Sequence, residues 1–148
     1  MRARFENDLG YVSAKVGANA AIFDDDDRIL LAHRADDGCF GLLAGWIDPN
    51  EDPYETIVRE IAEEAGVTGR VDKLVGVFGR GGHSGDGPHG AVAIVFLCSL
   101  DSHNFVAQEH EVVNLAFHRI EDVTNWHKDH ETYARAAREA WWRHRAGL

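Results

Sequence analysis

The sequence places three glutamates, Glu60, Glu63 and Glu64, at i, i+3 and i+4. On a helix that spacing makes them neighbours on one face. Like charges so placed repel by about 0.2–0.5 kcal/mol per pair. Two readings of these residue types are open. One is a solvated acidic face with Arg59 as a local ion partner. The other is a cage for a hard cation, because Mg²⁺ takes oxygen ligands from carboxylates, waters and substrate phosphates. Composition alone does not choose between them.

The element that must carry these groups is well marked. Asp52 is a suitable N-cap, Pro53 suits the first helical position, and Glu55 completes a capping box of the D-x-x-E kind. Gly66 is placed to end the helix in a left-handed conformation. Ile57, Ile61 and Ala65 recur every four residues, a stripe that predicts packing against a sheet, with the glutamates on another face.

Strands are expected on both sides of that helix. Lys15 to Phe23 alternates through Val16, Ala18, Ala20 and Ile22, and Arg28 to His33 follows a turn of four aspartates, Asp24 to Asp27. Ala35 to Leu42 reads as a loop. Val71 to Phe78, Ala91 to Leu100 and Val112 to His118 read as later strands, and Glu131 to Arg145 as a final helix with Tyr133, Ala137 and Trp141 on one side. Trp126, Trp141 and Trp142 are read as core or dimer-interface residues. The glycine-rich segment Arg80 to Gly90 is not a P-loop, since no Gly-Lys-Ser/Thr follows and a strand comes next. The pattern is that of an α/β (α+β) chain forming a single domain over residues 1–148, with a C-terminal helix at about 131–145.

The formal net charge of −10 argues against nonspecific binding to nucleic acid or a membrane. It also works against an anionic substrate, a conflict that a divalent metal at the acidic helix would resolve. No apolar run approaches the ~20 residues of a membrane span, and the start MRARFENDLG has no signal-peptide core, so a cytoplasmic location is expected. Cys39 and Cys98 are expected as thiols. The nine histidines form no His-Glu-x-x-His or Cys/His cluster, so no zinc site is expected.

The full spacing around the glutamates is more specific. Gly45, five residues, Glu51, seven residues, Arg59-Glu60-Ile61, one residue, Glu63-Glu64, one residue, then Gly66-Val67 resembles the Nudix box at every specified position. Seven fixed identities and two aliphatic positions should arise by chance on the order of once in ten million such chains, at average residue usage. The similarity to Nudix hydrolases extends from about Leu9 to Val123. The segments LGYVSAKVGANAAIF, FGLLAGWIDPNEDP and EVVNLAFHRIEDV resemble the subgroup acting on ADP-ribose or CDP-choline. Leu43 and Ala44 depart from that subgroup's Pro-Gly, Asn50 from a Gly and Phe117 from a common Trp.

The resemblance implies a Nudix fold, a mixed β-sheet sandwiched between helices. It implies Mg²⁺, with Mn²⁺ as a substitute, held by Glu60 and Glu64, with Glu63 sharing or bridging and the Gly45 region lending a carbonyl. Arg59 would orient Glu51, and Glu111, or its neighbour Glu109, would be a further ligand or base. Glu51, Arg59, Glu63, Glu64 and Glu111 are therefore the expected catalytic set, with Arg34, Trp46, Arg80 and His83 as candidates for substrate contact. The expected reaction cleaves a nucleoside diphosphate linked to another moiety, giving a nucleoside monophosphate and a phosphorylated product. The alternatives are a MutT-type nucleoside triphosphate pyrophosphohydrolase and a non-catalytic nucleotide sensor. The expected partner is a nucleotide-derived small molecule, and a homodimer is among the assemblies the resemblance allows.

Overall fold

In a computed structural model of the chain, residues 14–80, 90–107 and 112–148 are described. In order they form β1 (Lys15–Ile22), β2 (Ile29–Arg34), β3 (Phe40–Gly41), β4 (Leu43–Trp46), α1 (Pro53–Ala65), β5 (Gly69–Arg80), β6 (Ala91–Leu100), β7 (Val112–His118) and α2 (His130–Arg145). The strands make two sheets, one in the order β4-β1-β6-β5 and one in the order β3-β2-β7. Most neighbours are antiparallel; β1 and β6 run parallel, with Ala18 opposite Ile94 and Ala20 opposite Phe96.

Alternation along the strands feeds two cores. Ala18, Ala20 and Ile22 of β1 pack with Leu30, Phe96 and the α1 stripe Ile57, Ile61 and Ala65. The intervening Ala21, with Ile29, Leu31, Val95 and Leu97, packs with Tyr133, Ala134 and Ala137 of α2. Strands buried on both faces read as near-continuous apolar runs, as in β6; β1, read as alternating, is nonetheless buried on both faces from Gly17 onward. The helices thus cover opposite sides, as the α+β sandwich expectation requires.

Several local expectations need correction. Ala35 to Leu42 is not loop throughout: β3 is formed within it, and β4 follows directly after it, pairing antiparallel with β1 through Gly17–Trp46 and Ala20–Leu43. These strands are too short to show a period of their own and are specified by their partners. β5 extends two residues beyond the predicted strand at each end, with register shifts at Val71/Lys73 and Leu74/Gly76. Trp126 and Trp141 border the second core, but Trp142 is 43% exposed and lies against Arg138. Glu64 is not on a solvated face: only 6% exposed, it sits on the margin of the α1 stripe, three residues from Ile61.

Candidate active site

Helix α1 begins where its signals put it. The Asp52 carboxylate accepts the Glu55 amide at 2.8 Å, although the returning bond from the Glu55 side chain is not formed. Gly66 ends the helix at φ +69° and donates to the Ala62 carbonyl at 2.9 Å. Between these caps Arg59 gathers the acidic groups. Its Nε and Nη2 donate to the two Glu51 oxygens at 2.8 and 2.9 Å, a planar fork suited to a carboxylate. Its Nη1 donates to Glu60 at 3.0 Å and to Glu63 at 3.1 Å. Glu51 also accepts from the buried Thr56 hydroxyl at 2.7 Å. With Arg59 first and Thr56 second as causes, the Glu51 carboxyl is held down at about 2.

Gly45 of β4 lies directly against Glu60. A Cβ at this position would come within 2.2 Å of the Glu60 carboxyl group, so only glycine lets that side chain cross the strand. One residue earlier, the Ala44 amide donates to Glu64 Oε2 at 3.2 Å. The box glycine and box carboxylates are therefore one assembly, with β4 as the surface on which α1 rests two of its glutamates. Ala44 does not adopt positive φ, whereas Asn50 does, at +68°. The Pro-Gly and Gly departures are thus accommodated, Asn being a residue that tolerates this region.

Glu60 and Glu64 form one side of a cleft of about 610 Å³, together with Gly17, Ala44, Gly45 and Trp46. The same cleft is also lined by Arg34, Asp36, Asp37, His127, Lys128 and His130. Arg34 forks onto Asp36 at 3.1 and 2.9 Å, and that guanidinium holds the Asp36 carboxyl at about 2. His127 Nδ1 lies 2.5 Å from Asp37 Oδ2, while burial lowers the His127 pKa against the pull of that carboxylate. His130 Nδ1 accepts the Leu42 amide at 2.9 Å. Trp46 is 44% exposed at the rim, and Lys15 Nζ lies 5.4 Å from the centre of its ring.

Of the predicted site residues, Gly45, Glu51, Arg59, Glu60, Glu63 and Glu64 come together, and Arg34 and Trp46 share their cleft. Glu63 is the outermost, its described contact being Arg59. Glu109, Glu111, His83 and the side chain of Arg80 lie outside the described residues. Among the described residues, no three acidic, histidine or cysteine side chains converge on one coordination point, because Arg59 and the Ala44 amide each draw carboxylates toward themselves. Sequence reasoning did not find Asp37, His127, Lys128 or His130. Asp37 and His127 are 90 residues apart, and no local motif links them.

Residues 14–139 match the NUDIX domain family, and the chain belongs to it. It is 34% identical over 83 residues to a MutT-like protein of Streptomyces ambofaciens, covering 56% of this chain and 50% of that protein. It is 40% identical over 60 residues to an ADP-ribose pyrophosphatase of Methanocaldococcus jannaschii, covering 38% of this chain and 36% of that protein. The chain thus spans half or less of the length of these curated relatives. An ADP-ribose pyrophosphatase crystal structure from Streptococcus suis superimposes with a TM-score of 0.71 at 25% identity, over 87% of this chain and 92% of that one. No helix among the described residues is long and apolar enough to cross a membrane.

Proposed function

We propose that the chain is a divalent-cation-dependent hydrolase of nucleoside diphosphates linked to another moiety, and that residues 1–148 act as one catalytic domain. The observation that carries this reading is the Gly45–Glu60 contact at the edge of the cleft, beside the Glu64–Ala44 bond. Strand and helix approach so closely only because Gly45 has no side chain, and the result is a pair of largely buried carboxylates at the lining of a groove. An all-oxygen donor set of this kind suits Mg²⁺ or Mn²⁺ rather than a softer metal. Glu60 and Glu64 would hold the ion, with Glu63 able to join once released from Arg59.

When bound, the ion neutralises a diphosphate and lowers the pKa of a coordinated water. The remaining tasks fall to the chain. Arg59 limits repulsion among Glu51, Glu60 and Glu63 and fixes Glu51 against the start of α1. Trp46 offers an exposed aromatic face on which a base can stack. A cleft of about 610 Å³ falls within the range of roughly 300–1,000 Å³ that encloses small-molecule ligands. The names borne by two of the compared proteins, and the flanking segments around β1 and β4, support an ADP-ribose- or CDP-choline-like substrate.

The test is a product-resolved comparison of ADP-ribose, CDP-choline, NADH, dinucleoside polyphosphates and nucleoside triphosphates, with metal-stripped enzyme and each ion restored. A nucleoside diphosphate derivative should exceed any triphosphate by at least ~10-fold in kcat/KM, about 1.4 kcal/mol in transition-state binding. Mg²⁺ or Mn²⁺ should restore activity. Fastest turnover of a triphosphate with release of pyrophosphate, or restoration by trace zinc alone, contradicts the proposal.

A further inference from the structure

The cleft that holds the box carboxylates also contains a carboxylate–imidazole pair outside the box. Asp37, in the turn between β2 and β3, meets His127, in the segment leading into α2, at 2.5 Å through Nδ1. A carboxylate on one ring nitrogen fixes the proton there and leaves the other nitrogen as an acceptor while the ring is neutral. Among the described residues Nε2 of His127 has no hydrogen-bond partner, and the ring lines the cleft. The pair lines the same cleft as Glu60 and Glu64. The His127 and His130 rings meet edge to face at 5.0 Å, and His130 Nδ1 holds the Leu42 amide while Glu64 holds the Ala44 amide. The imidazoles and the carboxylates are thus anchored on one short segment of chain, Leu42 to Ala44.

We infer that His127, oriented by Asp37, accepts the proton of the attacking water in this cleft, an inference that rests on the hydrolase reading above. In the step, one O–H bond of the water breaks and its proton passes to Nε2. The water oxygen bonds to phosphorus, the bridging P–O bond breaks, and its electron pair leaves on the departing phosphate. The proton on Nε2 then returns to solvent. Asp37 is a positioning residue, since it acts through the ring. Asp37, Arg34 and Lys128 act on His127 electrostatically and His130 lies against its ring, while Asp36, Glu60 and Glu64 are the other charged groups lining the cleft. Burial keeps the ring neutral to lower pH than an exposed histidine, as a proton acceptor working near neutrality requires.

The test uses the full chain with Mg²⁺ and whichever nucleoside diphosphate derivative the wild type hydrolyses, with thermal melts to confirm folding. His127→Asn should lower kcat by about 100-fold, within the range of general base catalysis, with KM changed far less, and should abolish the acidic limb of the kcat–pH profile. Imidazole in solution should restore activity to His127→Ala. Asp37→Asn should move the acidic limb to lower pH, because the carboxylate that favours the charged ring is gone. If His127→Asn does not fold, the Asp37→Asn profile decides: a shifted limb supports the inference and a fixed limb overturns it. A kcat for His127→Asn within ~3-fold of wild type, or a loss with no imidazole rescue and an unchanged limb, also overturns it and returns the role to a carboxylate. Absence of turnover by the wild type on every nucleoside diphosphate derivative would instead overturn the hydrolase reading itself.

Discussion

Arg59 touches Glu51, Glu60 and Glu63 with one guanidinium, which offsets the repulsion among these carboxylates. Lysine has no planar fork with which to do the same. Glu51 carries the consequence for acid stability. Its folded pKa of about 2 lies below the ordinary 4.5, so the stability it contributes is fully present above 4.5 and is lost as pH falls toward 2. Melting temperatures of wild type and Glu51→Gln should therefore converge as pH drops through that window; parallel curves would contradict the pairing. Gly45 makes a sharper prediction. Gly45→Ala must push the Glu60 carboxyl aside, because the new Cβ would lie 2.2 Å from it. We expect kcat/KM to fall at least ~10-fold, about 1.4 kcal/mol, with a higher cation concentration at half-maximal rate and a nearly unchanged melt. Unchanged cation dependence would show that Glu60 needs no such space. The box residues were legible because their spacing is local and specific. Asp37 and His127 were not, because their contact depends on the pairing of Asn125 to His127 with Phe40, far away in the chain.

At the scale of elements, α1 was the clearest part of the sequence. Its N-cap, its apolar stripe and its terminal glycine agree with one another, and the helix runs from Pro53 to Ala65 between them. What its periodicity did not show was the burial of Glu64, which depends on the strand opposite rather than on the helix. β3 and β4 were missed for the same reason: two and four residues carry no readable period, and their pairing with β2 and β1 defines them. The turn into α1 gives an element-level test. Asn50 sits at φ +68°, where glycine is at ease and branched side chains are not. Asn50→Gly should be neutral within a few tenths of a kcal/mol, while Asn50→Val should cost about 1–2 kcal/mol in urea denaturation. Asp52→Ala, which removes the cap on the Glu55 amide, should cost about 1 kcal/mol. Equal stability of the two Asn50 variants would place the strain elsewhere.

For the whole molecule, the net charge of −10 is the feature that the proposed function must explain. A strongly acidic protein binds a diphosphate poorly unless a cation intervenes, and the cleft concentrates that problem by setting Glu60 and Glu64 beside the space a substrate would fill. The α1 stripe announced a sheet beneath it, but neither the second core nor the division of the strands between two sheets was legible, since both depend on pairings between distant residues such as Ala18–Ile94 and Leu31–Ala116. We propose that the box carboxylates lining that cleft serve a bound cation during phosphoanhydride hydrolysis. Glu64→Gln tests this most directly, because it removes a charge while keeping the shape that accepts the Ala44 amide. The measurement is the Mg²⁺-dependent hydrolysis rate of the preferred nucleoside diphosphate derivative by wild type, Glu63→Gln and Glu64→Gln, each verified as folded by its thermal melt. The account predicts a loss of at least ~100-fold for Glu64→Gln, about 2.7 kcal/mol, and a smaller loss for Glu63→Gln; near-normal turnover by Glu64→Gln with unchanged Mg²⁺ affinity would contradict it.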